Sequence, residues 1–248
     1  MIRYAAVTDI GVCDKNDDRI LVDGSILSSG YVNGTVDTSI LAVLCDGVGG
    51  YQHGDEAANI TVKVFTALAD IPVTQDIINS TINEANNIVV AKQKTDISYR
   101  KMATTIAGIF IQNYDYMIFN IGDSKIYRYR NPYLLQLSVD HTSHQEALNL
   151  GLIDAIDMEN KNNHAITRCI GSDKFCQPNI QTGINRIINS DIFLICSDGL
   201  SDVVNIEVLE DTLSQPINLS RKCKMLLELA NENKSLDNIS IILLEVVL

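Results

Sequence analysis

Apolar runs of strand length, broken by Gly, Asn and Asp, alternate along this chain with stretches whose apolar residues recur every three or four positions. Residues 2–8 and 40–45 predict strands. Ala57, Ile60, Val64 and Leu68, then Ile78, Ile82, Ala85 and Val89, lie at helical spacing and predict two long amphipathic helices. A second strand cluster follows at 104–111, 116–121, 125–130 and 134–137. Its connections are short enough for antiparallel hairpins, with turn chemistry from Asn113-Tyr114-Asp115 and Arg130-Asn131-Pro132, so a meander is expected. Residues 143–163 turn polar and locally helical, with Glu146, Asp154, Asp157 and Glu159, and read as a surface subdomain. Residues 192–196 form an apolar run of buried-strand type, Leu219, Cys223, Leu226 and Ala230 share a helix face, and 239–247 close the pattern as a strand. Strand clusters separated by helices favour an α+β architecture over regular βαβ alternation.

The 248 residues, 46% of them hydrophobic, can bury a large core, and no linker, low-complexity tract or internal repeat divides them. One domain spanning 1–248 is the expectation. A formal charge of −12 argues against non-specific binding to nucleic acid or to an anionic membrane. No secretory-type segment follows Met1 and no run is long enough to span a bilayer, so a soluble, cytoplasmic protein is expected. The six cysteines, at 13, 45, 169, 176, 196 and 223, have neither zinc-site pairing nor the density of a disulfide scaffold, and Cys45 and Cys196 read as small buried thiols.

The chemistry sits in short acidic motifs. Asp46-Gly47-Val48-Gly49-Gly50 ends one apolar strand and Ser197-Asp198-Gly199-Leu200 ends another. Glycine permits positive φ and close backbone approach, so Asp46 can offer its carboxylate, and Gly47 its carbonyl oxygen, to one ion. A tight turn with an N-capping Asp explains the first motif equally well, and its repetition at Asp198 weakens that alternative. No Lys-Ser or Lys-Thr follows the glycines, which excludes a P-loop. Asp123 in Gly-Asp-Ser adds a third acid at a hairpin corner, Asp237-Asn238 a fourth before a strand and Asn16-Asp17-Asp18 two more, although alone each is explained as well by an ordinary turn, an Asx-turn and a solvated loop respectively. Like charges gathered at one rim repel in a low dielectric, and a divalent cation is the simplest remedy.

Taken in order, these segments resemble the metal-dependent serine/threonine protein phosphatases of the PP2C type, especially their compact bacterial members. The carrying residues are Thr8-Asp9-Ile10-Gly11, Asn16-Asp17-Asp18, Asp46 to Gly50, Ala103-Thr104-Thr105, Ile121-Gly122-Asp123-Ser124, Asp140-His141, Ile166-Thr167-Arg168, Cys196 to Leu200 and Asp237-Asn238-Ile239-Ser240. The resemblance implies a β-sandwich of two mainly antiparallel sheets flanked by helices, a four-layer αββα fold, with a flap at about 143–163. It also implies two Mn²⁺ or Mg²⁺ ions in the core site. Asp46 bridges them, Asp198 and Asp237 complete the first, Asp17 and the Gly47 carbonyl hold the second, Asp18 orders bound water, and Asp123 with Asp198 holds a weaker third. All-oxygen ligation suits such hard ions. The implied reaction is attack of a metal-bridged water on phosphoserine or phosphothreonine in proteins, without a phospho-enzyme, and the implied partners are phosphoproteins and a cognate kinase.

Three departures stand out. Position 17 is Asp where the family commonly has Glu or Gln, and Val48 stands where many eukaryotic members have His. Cys13 occupies the place of the family's phosphate-clamping Arg, with Lys15 and Arg19 as imperfect substitutes. Weak substrate binding is therefore expected. The rival reading is a weakly active or inactive regulatory domain that binds a phosphoprotein, which the missing Arg favours and the retained carboxylates oppose. His141 reads as structural and His53 as an exposed loop residue.

Overall fold

A strand that is apolar at every position needs cover on both faces, and residues 40–45 show how this chain supplies it. Leu41, Val43 and Cys45 enter one buried cluster, while Ile40, Ala42 and Leu44 enter another. The computed structural model, which describes residues 1–48, 53–68, 71, 73–152, 165–172, 177–183 and 186–248, stacks these clusters in four layers: helices, sheet, sheet, helices.

In chain order, the first strands are β1 (Ile2–Asp9), β2 (Arg19–Val22), β3 (Ser25–Leu27), β4 (Gly30–Val36) and β5 (Ser39–Cys45). Helices α1 (Gly54–Phe65) and α2 (Gln75–Gln93) precede β6 (Ile106–Gln112), β7 (Asp115–Ile121), β8 (Lys125–Arg130) and β9 (Tyr133–Gln136). Then come α3 (Ser143–Asn149), β10 (Asn179–Thr182), β11 (Ile192–Cys196), α4 (Asp198–Ser201), α5 (Ile206–Ser214), α6 (Leu219–Glu232) and β12 (Ile239–Val246). Among the described residues, one sheet runs β4-β1-β12-β11-β8-β9 and the other β10-β7-β6-β5-β2-β3, with every pairing antiparallel. Helices α1 and α2 cover the second sheet through Ala57, Val62, Phe65, Ile78, Ile82 and Val89, and α4 to α6 cover the first through Leu200, Leu209, Cys223 and Leu226. Each large side chain buried this way contributes about 1.5–3 kcal/mol.

Caps fix the helix starts. Thr74 accepts from the Ile77 N–H at 3.3 Å to open α2, Asn205 from Val208 at 3.0 Å to open α5, and Asn218 from Arg221 at 2.8 Å to open α6. The expected meander is corrected: β6 and β7 form a hairpin, but β8 and β9 belong to the other sheet. The chain crosses between layers at Gly122, whose φ of +103° suits glycine, so Asp123 sits at an inter-sheet turn instead of a hairpin corner. Within the expected flap, residues 143–149 form α3, while 153–164 lie outside the described residues.

Candidate metal centre

Strand register brings the acids to one end of the sandwich. Arg19 of β2 pairs with Cys45 of β5, which sets Asp18 beside Asp46. Cys196 of β11 pairs with Lys125 of β8 on one side and Ile241 of β12 on the other, which sets Asp198 between Asp123 and Asp237. Asp9 at the end of β1 pairs with Ile239 at the start of β12, so the loop carrying Asp17 leaves from the same rim.

The rim is tied by polar side chains that need no ion. Asn238 Oδ1 accepts from the Asp17 N–H at 2.8 Å, and its Nδ2 donates to the carbonyls of Ile10 and Lys15, both at 2.9 Å. Asn16 Oδ1 accepts from the Asp18 N–H at 3.0 Å. The Asp46 N–H donates to Thr105 Oγ1 at 3.1 Å, and Thr104 Oγ1 and the Thr105 N–H both donate to the Asp46 carbonyl at 2.8 Å. Close approach requires two of the glycines. A Cβ on Gly47 falls 2.6 Å from the Gly54 carbonyl carbon and 2.8 Å from Asp17 Cβ, and one on Gly199 falls 2.1 Å from the Asn238 carbonyl oxygen.

Buried acids without counter-charges resist ionisation. Burial pushes the Asp46 carboxyl well above its usual range, aided by the charges of Asp18, Asp198, Asp123 and Asp237. Asp198 is raised by burial, then by Asp237, Asp123, Asp202 and Asp18. Burial lifts Asp18 to about 7 and Asp123 to about 6. Asp17 Oδ1, Asp18 Oδ2 and Asp198 Oδ1 are buried with no hydrogen-bond partner. Among the described residues no three His, Cys, Asp or Glu side chains form a ready-made metal-holding group, so convergence on one ion requires the carboxylates to turn. The donor set nonetheless fits a hard divalent cation: the atoms are oxygens, three of them lack partners, and their mutual repulsion falls when a cation arrives.

The remaining predicted residues fall out differently. Lys15 Nζ pairs with Asp55 and stands 3.5 Å from Asp17 Oδ1, its side chain half exposed. Arg19 donates to the carbonyls of Asn16 at 2.9 Å and Asp18 at 2.7 Å and faces Asp55 at 3.6 Å, so its guanidinium is committed to the loop. Cys13 Sγ lies 3.5 Å from the Leu236 carbonyl, and burial, followed by the charges of Asp237, Asp17, Asp14 and Asp18, pushes its thiol up. His141 is buried, with Nδ1 accepting from the Gly122 N–H at 3.1 Å and burial depressing its pKa to about 4. His53 is half-buried at the start of α1, its ring 4.4 Å from that of Tyr99, where an exposed loop position was expected. Two acids were missed. Asp202 follows Asp198 by one helical turn and adds to its field, a spacing visible in the sequence; Asp55 holds Lys15 and Arg19 from the first turn of α1.

The chain matches the Protein phosphatase 2C family over residues 28–233. It is 30% identical over 254 residues to the protein phosphatase PhpP of Streptococcus pneumoniae, covering 98% of this chain and 96% of that one. It is 29% identical over 217 residues to the serine/threonine phosphatase Stp of Listeria monocytogenes, covering 84% and 85%. Its fold superposes with a TM-score of 0.81, at 26% identity over 99% of this chain and 98% of the other, on the catalytic domain of the serine/threonine protein phosphatase PstP in complex with two manganese ions.

Proposed function

Since the chain belongs to the protein phosphatase 2C family, we propose that it hydrolyses phosphoserine and phosphothreonine in proteins, using divalent cations held by the acidic rim. The observation that carries this reading is a set of aspartates from both sheets, Asp18, Asp46, Asp123 and Asp198, whose carboxyls burial holds above their usual range, with Asp18 Oδ2 and Asp198 Oδ1 lacking hydrogen-bond partners.

Asp46, Asp198 and Asp237 would hold one ion, and Asp17, the Gly47 carbonyl and Asp46 would hold a second. Asp18 would accept from metal-bound water, and Asp123 with Asp198 would offer a weaker third place. Manganese or magnesium, when bound, supplies an acidified water and charge stabilisation at the phosphoryl oxygens. The protein's own part is preorganisation: Asn238, Asn16, Thr104 and Thr105 fix the backbone behind the acids through bonds of 2.8 to 3.1 Å. The thiols beside the rim are poor nucleophiles, because burial pushes Cys45 well up and Cys196 to about 12, and burial with the charges of Asp237 and Asp17 raises Cys13, which favours direct attack by water over a phospho-cysteine route. Lys15, half exposed beside Asp17, is the nearest candidate for a phosphate contact.

We further propose a single domain over 1–248 with a flap beginning at α3, a cytoplasmic setting in a bacterium, and a serine/threonine kinase as the source of its substrates. No helix among the described residues is long and apolar enough to cross a membrane. The test is manganese-dependent phosphate release from a phosphothreonine peptide, compared with Asp198→Ala. Activity is expected only with metal and only in the unmodified protein; activity surviving in Asp198→Ala defeats the metal assignment.

A further inference from the structure

Residues 92–101 carry Lys92, Lys94, Arg100 and Lys101 against one acid, Asp96, in a chain whose net charge is −12. This basic run leads from the end of α2 through a 3-10 turn (Ile97–Tyr99) to the segment that meets the Asp46-Gly47 turn. Its position is fixed on both sides. The Met102 N–H donates to the Tyr99 carbonyl and the Val48 N–H to the Ala103 carbonyl, both at 3.0 Å, and Thr104 bridges to Gly47. The Tyr99 ring packs on His53, the residue before Gly54, and Gly54 in turn abuts Gly47 and Asp17. Arg100 is four residues from Thr104, at most roughly 14 Å of extended chain. The run therefore forms a lip beside the Asp46-Gly47 turn, with Arg100 no more than roughly 14 Å from Thr104.

Within the run the charges divide. Lys92 lies 4.7 Å over the Tyr99 ring and 3.8 Å from Glu56, and Asp96 is engaged by Ser98 through bonds of 2.8 Å. Lys94 and Arg100 are exposed, and among the described residues no side-chain ion pair engages either one. An acidic peptide is repelled by the protein's net charge and attracted at this lip, so the patch supplies orientation as well as affinity.

Building on the phosphatase reading, we infer that this lip docks acidic residues flanking the phosphorylated residue of the substrate protein. With the phosphoresidue at the rim, an extended peptide spans a separation of at most roughly 14 Å in four residues or fewer, which places the preferred acids within about four positions of it.

The experiment uses the manganese-loaded protein and a Lys94→Glu/Arg100→Glu variant. Its substrates are two phosphothreonine peptides that differ only in Glu or Lys at those positions. The expected result is a KM about fivefold lower for the Glu peptide at similar kcat, a preference that shrinks at high salt and vanishes or inverts in the variant. Turnover of p-nitrophenyl phosphate and the melting temperature stay unchanged; Lys94→Gln/Arg100→Gln replaces the reversal if melting falls. Fluorescence anisotropy with unphosphorylated labelled forms of both peptides reads docking without turnover. A protein that binds the Glu peptide selectively but hydrolyses nothing supports the lip and counts against the phosphatase reading. Equal affinity for both peptides, a preference that survives the substitutions, or tighter retention of an oligonucleotide of matched charge overturns the inference.

Discussion

Asp17 donates its backbone N–H to the side-chain oxygen of Asn238 at 2.8 Å, across 221 residues of sequence. The same amide grips the carbonyls of Ile10 and Lys15, so one side chain holds the β1–β2 loop at both ends. Asn238→Ala removes three hydrogen bonds at a part-buried site and is expected to cost about 1–3 kcal/mol and to weaken manganese binding. Asn238→Asp keeps the acceptor, loses both donors and adds a charge to the rim, so it is expected to be at least as harmful. Urea denaturation and calorimetric titration with manganese check both.

Removing metal exposes the repulsion among the acids. Carboxyls whose folded pKa is raised contribute stability below the unfolded value near 4 and lose it as pH rises through about 6 for Asp123 and about 7 for Asp18. With EDTA the protein is expected to melt lower at pH 8 than at pH 6, and excess manganese to close that gap. Asp46→Asn is expected to raise the metal-free melting temperature by about 2–4 °C for each kcal/mol of repulsion relieved, while abolishing turnover. A metal-free melting temperature unaffected by Asp46→Asn contradicts the account.

His141 imposes the opposite slope. Its folded pKa near 4 lies below the unfolded value, so the unfolded chain binds the extra proton between pH 6.5 and 4 and stability falls as pH drops through that window. The full difference amounts to about 3 kcal/mol. His141→Asn retains an acceptor for the Gly122 N–H and is expected to flatten this acid limb. Melting curves from pH 4.5 to 7 distinguish it from an unchanged limb, which rules out the assignment.

Cys13→Arg places a guanidinium beside Asp17 and Asp237, where the thiol now meets the Leu236 carbonyl. A charge-assisted phosphate contact is expected to lower KM for small phosphomonoesters by about tenfold with kcat little changed. Lys15→Ala is expected to raise KM in the unmodified background, whereas Arg19→Ala acts on the loop and lowers stability instead. Steady-state kinetics on all three separates these roles.

Gly199→Ala drives a Cβ to 2.1 Å from the Asn238 carbonyl oxygen, and a shift of that backbone pulls on the Asp17 loop. The expected cost is about 1–3 kcal/mol with reduced metal affinity. Gly24, at φ +71° with open space around its missing Cβ, is the control: Gly24→Ala is expected to cost about 1 kcal/mol with metal affinity intact.

The strands that deliver Asp46 and Asp198 were legible because burial on both faces makes residues 40–45 and 192–196 continuous apolar runs. β4 was not legible. It is an edge strand with Gly30 and Gly34, and Gly34 makes room for the Tyr4 ring, so its pattern carries packing from another strand in place of its own periodicity. The crossing after Ile121 was hidden for a related reason: β7 and β8 are each buried on both faces, and apolar runs do not say which sheet they join. α5 carried a readable signal in Asn205, Leu209 and Leu213, a cap followed by an i, i+4 pair. The commitment of Arg19 to backbone carbonyls depends on loop geometry that residue spacing does not encode.

β12 lies between β1 and β11 in the centre of its sheet, and Asn238 at its start anchors the loop that carries Asp17. A chain emerging from its N-terminal end therefore possesses Asp17, Asp46, Asp123 and Asp198 long before it possesses the strand that aligns them. Until residue 238 is free to fold back, the nascent protein has an open gap beside β1 and an unanchored acidic loop. Alignment of the acidic rim is thereby deferred until β12 has been made and has paired between β1 and β11.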